Sequence, residues 1–273
     1  MATIVALHAH PDDESISTGG TLARAADEGH RVVLVFATRG ECGEVAPGFL
    51  RDGEELGDRR EEEARASAAV LGAHRVEFLG FRDSGMDGES TNDDPRCFWQ
   101  ADVEATVEQV ASILREEVAD VCLIYDDHGG YGHPDHVQVH RVGARAAEAA
   151  GTPHVLEATF NRDHIRRLVE AAAEAGPGGP EGIDAPEPPD IDEETFGSSD
   201  ADITTYIDVS SWVDRRRASM SAHASQIPAD SFFLAMPDEA FTAAFGQEWF
   251  IRRGPALTTT DDWLLPPATH QDG

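Results

Sequence analysis

The sequence predicts an α/β fold: a Rossmann-like, mostly parallel sheet with helices on both faces, plus C-terminal elements that complete a pocket. Three observations predict it. Short apolar, β-branched runs recur along the first half of the chain, amphipathic stretches separate them, and polar clusters directly follow two of the runs. Strand–helix–strand units in this rhythm are right-handed crossovers, and such crossovers build parallel sheets.

The first apolar run, residues 4–8, stops at a polar turn containing Pro11. Residues 15–26 have helical periodicity through Ile16, Leu22 and Ala26, and Gly29 offers a stop. RVVLVFA, residues 31–37, has the continuous apolar character of a strand buried on both faces. Residues 58–71 form a charged amphipathic helix ending at Gly72, and residues 76–80 a third strand. A helix over 103–117, a strand over 121–125, a helix over 137–150 and a strand over 155–160 follow. Residues 176–202 carry Pro177, Pro180, Pro186, Pro188 and Pro189, many acids and no basic residue, and predict a mobile or extended insertion. Helical character returns over 210–225, residues 232–254 form an apolar segment that packs back, and the tail beyond Pro266 should fray. The whole reads as one domain over 1–273: an α/β core (1–160), an acidic insertion (176–202) and C-terminal pocket elements (203–265).

Composition narrows the partners. Of 273 residues, 52 are acidic and 21 basic, giving a net charge of −31, and every basic residue is Arg. Such a surface repels phosphates and anionic headgroups, which argues against nucleic-acid and membrane partners and leaves a small molecule. No run approaches the roughly 20 apolar residues that span a bilayer. The N-terminus lacks a basic region followed by a long apolar one, so it does not read as a signal peptide. Cys42, Cys97 and Cys122 are odd in number and have no CxxC spacing, as expected of reduced thiols in a cytoplasmic protein. Homo-oligomerisation is left open.

In open parallel sheets, ligands bind beyond the carboxyl ends of the strands. No G-x-G-x-x-G follows the first strand, so a nucleotide site lacks its main support. What stands there is His10-Pro11-Asp12-Asp13-Glu14, and a second cluster, His133-Pro134-Asp135-His136, follows the fourth strand after Asp126-Asp127-His128-Gly129-Gly130-Tyr131-Gly132. One His-Pro-Asp could be a plain turn with an Asp cap. Two, each at a strand end, point to convergent titratable groups. A catalytic zinc site takes three protein ligands and leaves a position open. If the two strands are neighbours, His10, Asp13 and His136 supply a His₂Asp site for Zn²⁺, a donor set that also accepts Fe²⁺. Asp12 then stands beside the metal without binding it.

The stretches AHPDDE (9–14), RDSGM (82–86) and GGYGHPDH (129–136) resemble the LmbE-like, or PIG-L, family of de-N-acetylases, most closely its mycothiol-pathway deacetylase and S-conjugate amidase branches. The match is strongest over residues 4–160 and weaker at 222–226 and 248–250. The resemblance implies His10, Asp13 and His136 as zinc ligands and Asp12 as general base. It implies that His133 stabilises and protonates the tetrahedral intermediate, that Asp135 orients His133, and that Tyr131 is a mobile tyrosine polarising the substrate carbonyl. Arg60 and Asp83 fall where the family contacts its sugar. Where the deacetylase branch has a C-terminal active-site histidine, this chain has Glu248 or its neighbour, as in the amidase branch.

The chemistry is coherent. Asp12 accepts the proton of an attacking water, Tyr131 and a protonated His133 donate to the oxyanion, and the charge of Asp135 favours the imidazolium. The function expected is zinc-dependent hydrolysis of an N-acyl amino sugar of the N-acetylglucosamine type. The alternatives are an amidase acting on a mycothiol-like thiol conjugate and a non-catalytic, metal-dependent sugar-binding module, which would have no use for Asp12. Among the remaining residues, Arg60 and Glu63 read equally well as a surface ion pair, Asp83 as a turn starter and Glu14 as a support for a ligand histidine. His8, His128, His140 and His223 read as structural.

Overall fold

The computed structural model describes residues 1–175, 196–254 and 261–265. Five strands come first: β1 (Thr3–His8), β2 (Arg31–Phe36), β3 (Arg75–Phe78), β4 (Val121–Tyr125) and β5 (His154–Thr159). Two more, β6 (Thr205–Asp208) and β7 (Gln247–Arg252), join the same sheet, whose order is β3-β2-β1-β4-β5-β7-β6. β1 to β5 are mutually parallel, and β7 pairs antiparallel with both β5 and β6. Strands β1 and β4 are neighbours, with Ala6 opposite Leu123. The chain winds outward in opposite directions from this pair, so their carboxyl ends flank the crevice where such sheets bind ligands.

The helices are α1 (Asp13–Ser17), α2 (Gly19–Asp27), α3 (Leu56–Leu71), α4 (Val103–Glu116), α5 (Pro134–Ala150), α6 (Arg162–Ala175), α7 (Val213–Ala222), α8 (Phe232–Ala235) and α9 (Asp238–Phe245). Strand side chains alternate between two cores. Val5, Leu7, Val33, Val35, Cys122 and Ile124 pack with α4 and α5 on one face. Ile4, Ala6, Val32, Leu34, Val121 and Leu123 pack with α2 and α3 on the other. Helix α5 shows why its start lies where it does: His133 is the N-cap, Pro134 opens the first turn, and Gly151 ends it at φ 74°.

Two expectations need correction. The single helix over 15–26 is two, because Thr18 at φ −139° breaks the run and α2 restarts at Gly19. A Cβ on Gly20 would lie 2.5 Å from Val209, so only glycine lets α2 dock there. The acidic insertion is tied down at its end: Gly197 N–H donates to Gly130 O at 2.8 Å and Ser198 N–H to Phe160 O at 2.8 Å, with Ser198 buried. Residues 176–195 and the tail from 266 lie outside the described residues. The three cysteines are unpaired. No helix among the described residues is long and apolar enough to cross a membrane.

Candidate metal centre and active site

β1 delivers the first cluster. Past His8 the chain turns sharply at Asp12, whose φ of 100° is left-handed and costs a non-glycine residue roughly 1–3 kcal/mol. That turn starts α1 with Asp13 and points its carboxylate back at His10. Asp13 Oδ2 accepts the His10 backbone N–H at 2.8 Å. The same oxygen lies 3.4 Å from His10 Nδ1 and 3.3 Å from His136 Nε2, which arrives on the first turn of α5. A tetrahedral ion with metal–ligand bonds of about 2.0–2.2 Å separates its donors by roughly 3.3 Å. The three side chains are buried. Burial would raise the Asp13 carboxyl, but His136 and His10 beside it hold it well below the usual range.

The other nitrogen of His10 faces carboxylates, Asp135 Oδ2 at 3.2 Å and Asp83 Oδ1 at 3.4 Å. A metal-binding histidine characteristically gives its second N–H to such a group, which fixes the ring and its tautomer. Asp12, Asp13, Asp83 and Asp135 thus surround few fixed positive charges, and buried carboxylates need compensating charge. The chemistry of the donor set therefore fits a divalent cation. The donor clusters compact enough for one, among the described residues, are His10–His133–His136 and His10–Asp83–Asp135; both contain His10, and neither is the full His10–Asp13–His136 set expected from the sequence.

Asp135 does not turn its carboxylate to His133. Oδ2 accepts the Ser84 N–H at 3.0 Å as well as facing His10, and Oδ1 accepts the Ser84 hydroxyl. What orients His133 is the Asp135 backbone, whose N–H donates to His133 Nδ1 at 3.1 Å. Burial, with the charge of His10 and His136, pushes the His133 imidazole down to about 3. With Nδ1 accepting that N–H, a neutral ring carries its proton on Nε2, in place of the imidazolium expected from the sequence.

Tyr131 is 41% exposed, and its hydroxyl lies 3.4 Å from His136 Nε2. Gly129, Gly130 and Gly132 around it all have positive φ. A Cβ on Gly129 would stand 2.5 Å from His136 Cβ, so glycine permits the loop to cross the ligand helix. Asp126 Oδ1 fixes the loop by accepting the Gly130 N–H at 2.6 Å.

Arg60 and Glu63 are no surface pair. Both are buried on α3 and they point to different partners. Arg60 donates to Gly40 O at 2.8 Å and Pro11 O at 2.5 Å, and lies 3.3 Å from Asp12 Oδ2. Glu63 accepts from the N–H and hydroxyl of Ser225. Burial pushes Asp12 up to about 6 against the pull of Arg60. Asp83 starts its turn, accepting the Gly85 N–H at 2.8 Å, while also backing His10.

Glu14 supports no ligand histidine. It accepts from the Asp12 N–H, from Ser15 and Ser67, and from His223 at 2.6 Å. Burial alone would raise the Glu14 carboxyl; His223 and Ser67 hold it down at about 2. Glu248 is likewise not at the metal side. Its two oxygens take Gly20 N–H at 2.8 Å and Thr21 N–H at 2.9 Å at the start of α2, and Arg216 pairs with it at 3.2 Å. The likeness to the amidase branch at this position thus has no counterpart in the site.

His8 is structural, between Tyr125 at 3.0 Å and Thr18 at 3.2 Å. Tyr125 was not legible as a site residue. Its ring stacks on His136, centroids 4.4 Å apart and 12° from parallel, while its hydroxyl holds the Ala9 N–H. Its place as the last residue of the β4 run was the available signal. Ser84 and His223 carried none beyond being polar.

Residues 5–147 match the family model described as GlcNAc-PI de-N-acetylase, PIG-L. The chain belongs to this family of enzymes and is an amide hydrolase of the deacetylase type, cleaving a linear C–N bond. It is 40% identical, over 94% of its length and 97% of the relative's, to a 1D-myo-inositol 2-acetamido-2-deoxy-alpha-D-glucopyranoside deacetylase of Thermobifida fusca. A protein of the same description from Acidothermus cellulolyticus is 39% identical over 96% of this chain and 92% of the relative. In fold the chain is similar to N,N'-diacetylchitobiose deacetylase from Pyrococcus horikoshii, with TM-score 0.57, 21% identity, and 92% and 83% of the two chains covered. A conserved protein of Thermus thermophilus gives TM-score 0.58 at 21% identity over 94% and 97%.

Proposed function

We propose that the protein removes the acetyl group from the nitrogen of an N-acetylglucosaminyl inositol, using a zinc ion held by His10, Asp13 and His136. The observation that carries the reading is the single oxygen, Asp13 Oδ2, set 3.4 Å from His10 Nδ1 and 3.3 Å from His136 Nε2 with Asp12 next to it in the chain. The substrate class rests on relatives near 40% identity that span almost the whole chain. A divalent ion there would acidify a water and polarise the acetyl carbonyl.

The remaining work falls to the chain. Asp12, pushed up to about 6, is ionised at neutral pH and close enough to that pH to accept and return a proton. It takes the proton of the attacking water and gives it to the departing amine. Tyr131, whose hydroxyl burial keeps firmly protonated, and the neutral His133 Nε2–H donate to the developing oxyanion. Asp83 and Asp135 hold His10, and Arg60 holds Asp12 with the capacity to meet the sugar at the same edge.

The test is amine release from zinc-loaded protein offered N-acetylglucosaminyl inositol, plain N-acetylglucosamine and a cysteinyl amide conjugate. Turnover of the first well above the others is expected. Preference for the conjugate, or binding without turnover, contradicts the reading.

A further inference from the structure

We propose that His223 is a positioning residue for the reaction: through Glu14, it holds the strained Asp12 turn in the shape that aims the Asp12 carboxylate. The inference rests on the reading of Asp12 as proton acceptor.

The turn needs holding. Asp12 sits at φ 100°, and α1 behind it has five residues, too few to stand alone. The Asp12 N–H donates to Glu14 Oε2 at 3.0 Å. Glu14 can anchor that bond only if its own carboxylate is fixed. Three donors fix the other oxygen: Ser15 Oγ at 3.0 Å, Ser67 Oγ from α3, and His223 Nε2 at 2.6 Å. His223 lies 209 residues away in sequence, at the end of α7, and is 0% exposed. Helix α7 grips α1 a second time through Arg216, which donates to the carbonyls of Ser15 and Ile16.

The choice of histidine is not explained by packing. His223 Nδ1 is buried and has no partner among the described residues. Leaving such an atom unsatisfied costs stability, which an apolar residue of similar volume would avoid. The ring is retained for its Nε2 contact. That contact links the C-terminal helix to the backbone of the residue that moves the proton. The carboxylate of Asp12 is braced separately by Arg60 at 3.3 Å. The backbone of the base is thus held through Glu14 by α7 and α3 together, and its side chain by α3 alone.

The experiment compares zinc-loaded, full-length wild type with H223L and H223Q. The amide of Gln can donate where Nε2 does; Leu cannot. Three quantities are read: bound zinc per chain, kcat and KM for N-acetylglucosaminyl inositol, and deuterium exchange of the Asp12 turn. H223L should keep its zinc and its KM, lose roughly 10- to 100-fold in kcat, the scale of a displaced catalytic group, and exchange faster at the turn. H223Q should recover most of both. A merely structural role would lower melting temperature in both variants alike and leave kcat per zinc intact. An unimpaired H223L, an H223Q as poor as H223L, or loss of zinc in step with kcat overturns the inference. If H223L does not fold, S67A removes another donor from the same oxygen and should move kcat and exchange in the same direction; no change in either overturns the inference. Should wild type release no amine, the functional reading fails, and the exchange comparison still decides this one.

Discussion

The backbone N–H of Asp135 donates to Nδ1 of His133 at 3.1 Å, so the neutral ring carries its proton on Nε2. Protonating Nδ1 would break that bond, and burial with two neighbouring histidines already pushes the ring down to about 3. In the proposed mechanism His133 therefore works as a neutral donor. His133→Ala should lower kcat by about 10²–10³-fold, the cost of one oxyanion donor, without removing a limb from the pH–rate profile. Loss of a limb near neutrality in that variant would restore the imidazolium.

In the proposed mechanism the acidic limb belongs to Asp12. Its carboxylate must be ionised to accept a proton, so activity falls as pH drops through its pKa. Burial places that pKa at about 6, and a cation beside it moves it lower. Arg60 opposes burial at 3.3 Å. Removing a positive neighbour raises a carboxyl pKa, so Arg60→Met should shift the acidic limb of kcat/KM to higher pH. A raised KM with the limb unmoved would assign Arg60 to the sugar alone.

In the proposed mechanism the adjacent carboxylates divide the work. Asp13→Ala and His136→Ala should lose bound metal. Asp12→Ala should keep it while kcat falls by roughly 10²–10⁴-fold. Metal analysis beside kinetics checks this, and equal metal loss in Asp12→Ala and Asp13→Ala would contradict the division.

Gly129→Ala tests the loop. The position has φ 69°, and the added methyl would meet His136 Cβ at 2.5 Å. Strain and clash both fall on His136, the proposed metal ligand, so melting temperature and metal affinity should drop together. Unchanged metal affinity would show that the loop can move without disturbing His136.

Much of this was legible because the signals are local. The five apolar runs became β1 to β5, and the two His-Pro-Asp turns fell at adjacent strand ends, at the point where the sheet order reverses. What was not legible depends on partners far away in sequence. Thr18 divides α1 from α2, and the break is stabilised by Glu248, 228 positions from Gly20. β6 and β7 are defined by pairing, β7 with β5 and β6 with β7. Asp135 stands two residues from His133, yet as a first-turn residue of α5 its carboxylate reaches Ser84 and His10 while its backbone serves His133. The charge of Asp135 does act on His133 in the expected direction, but burial and the two neighbouring histidines outweigh it. His223 gave no sign because its meaning lies in Glu14.

The most direct test of the central claim is anomalous diffraction at the zinc edge from zinc-loaded crystals. One ion per chain should appear about 2.0–2.2 Å from His10 Nδ1, an Asp13 carboxylate oxygen and His136 Nε2. Zinc on His10 Nε2 with Asp83 and Asp135, or on His133 in place of Asp13, would contradict the account.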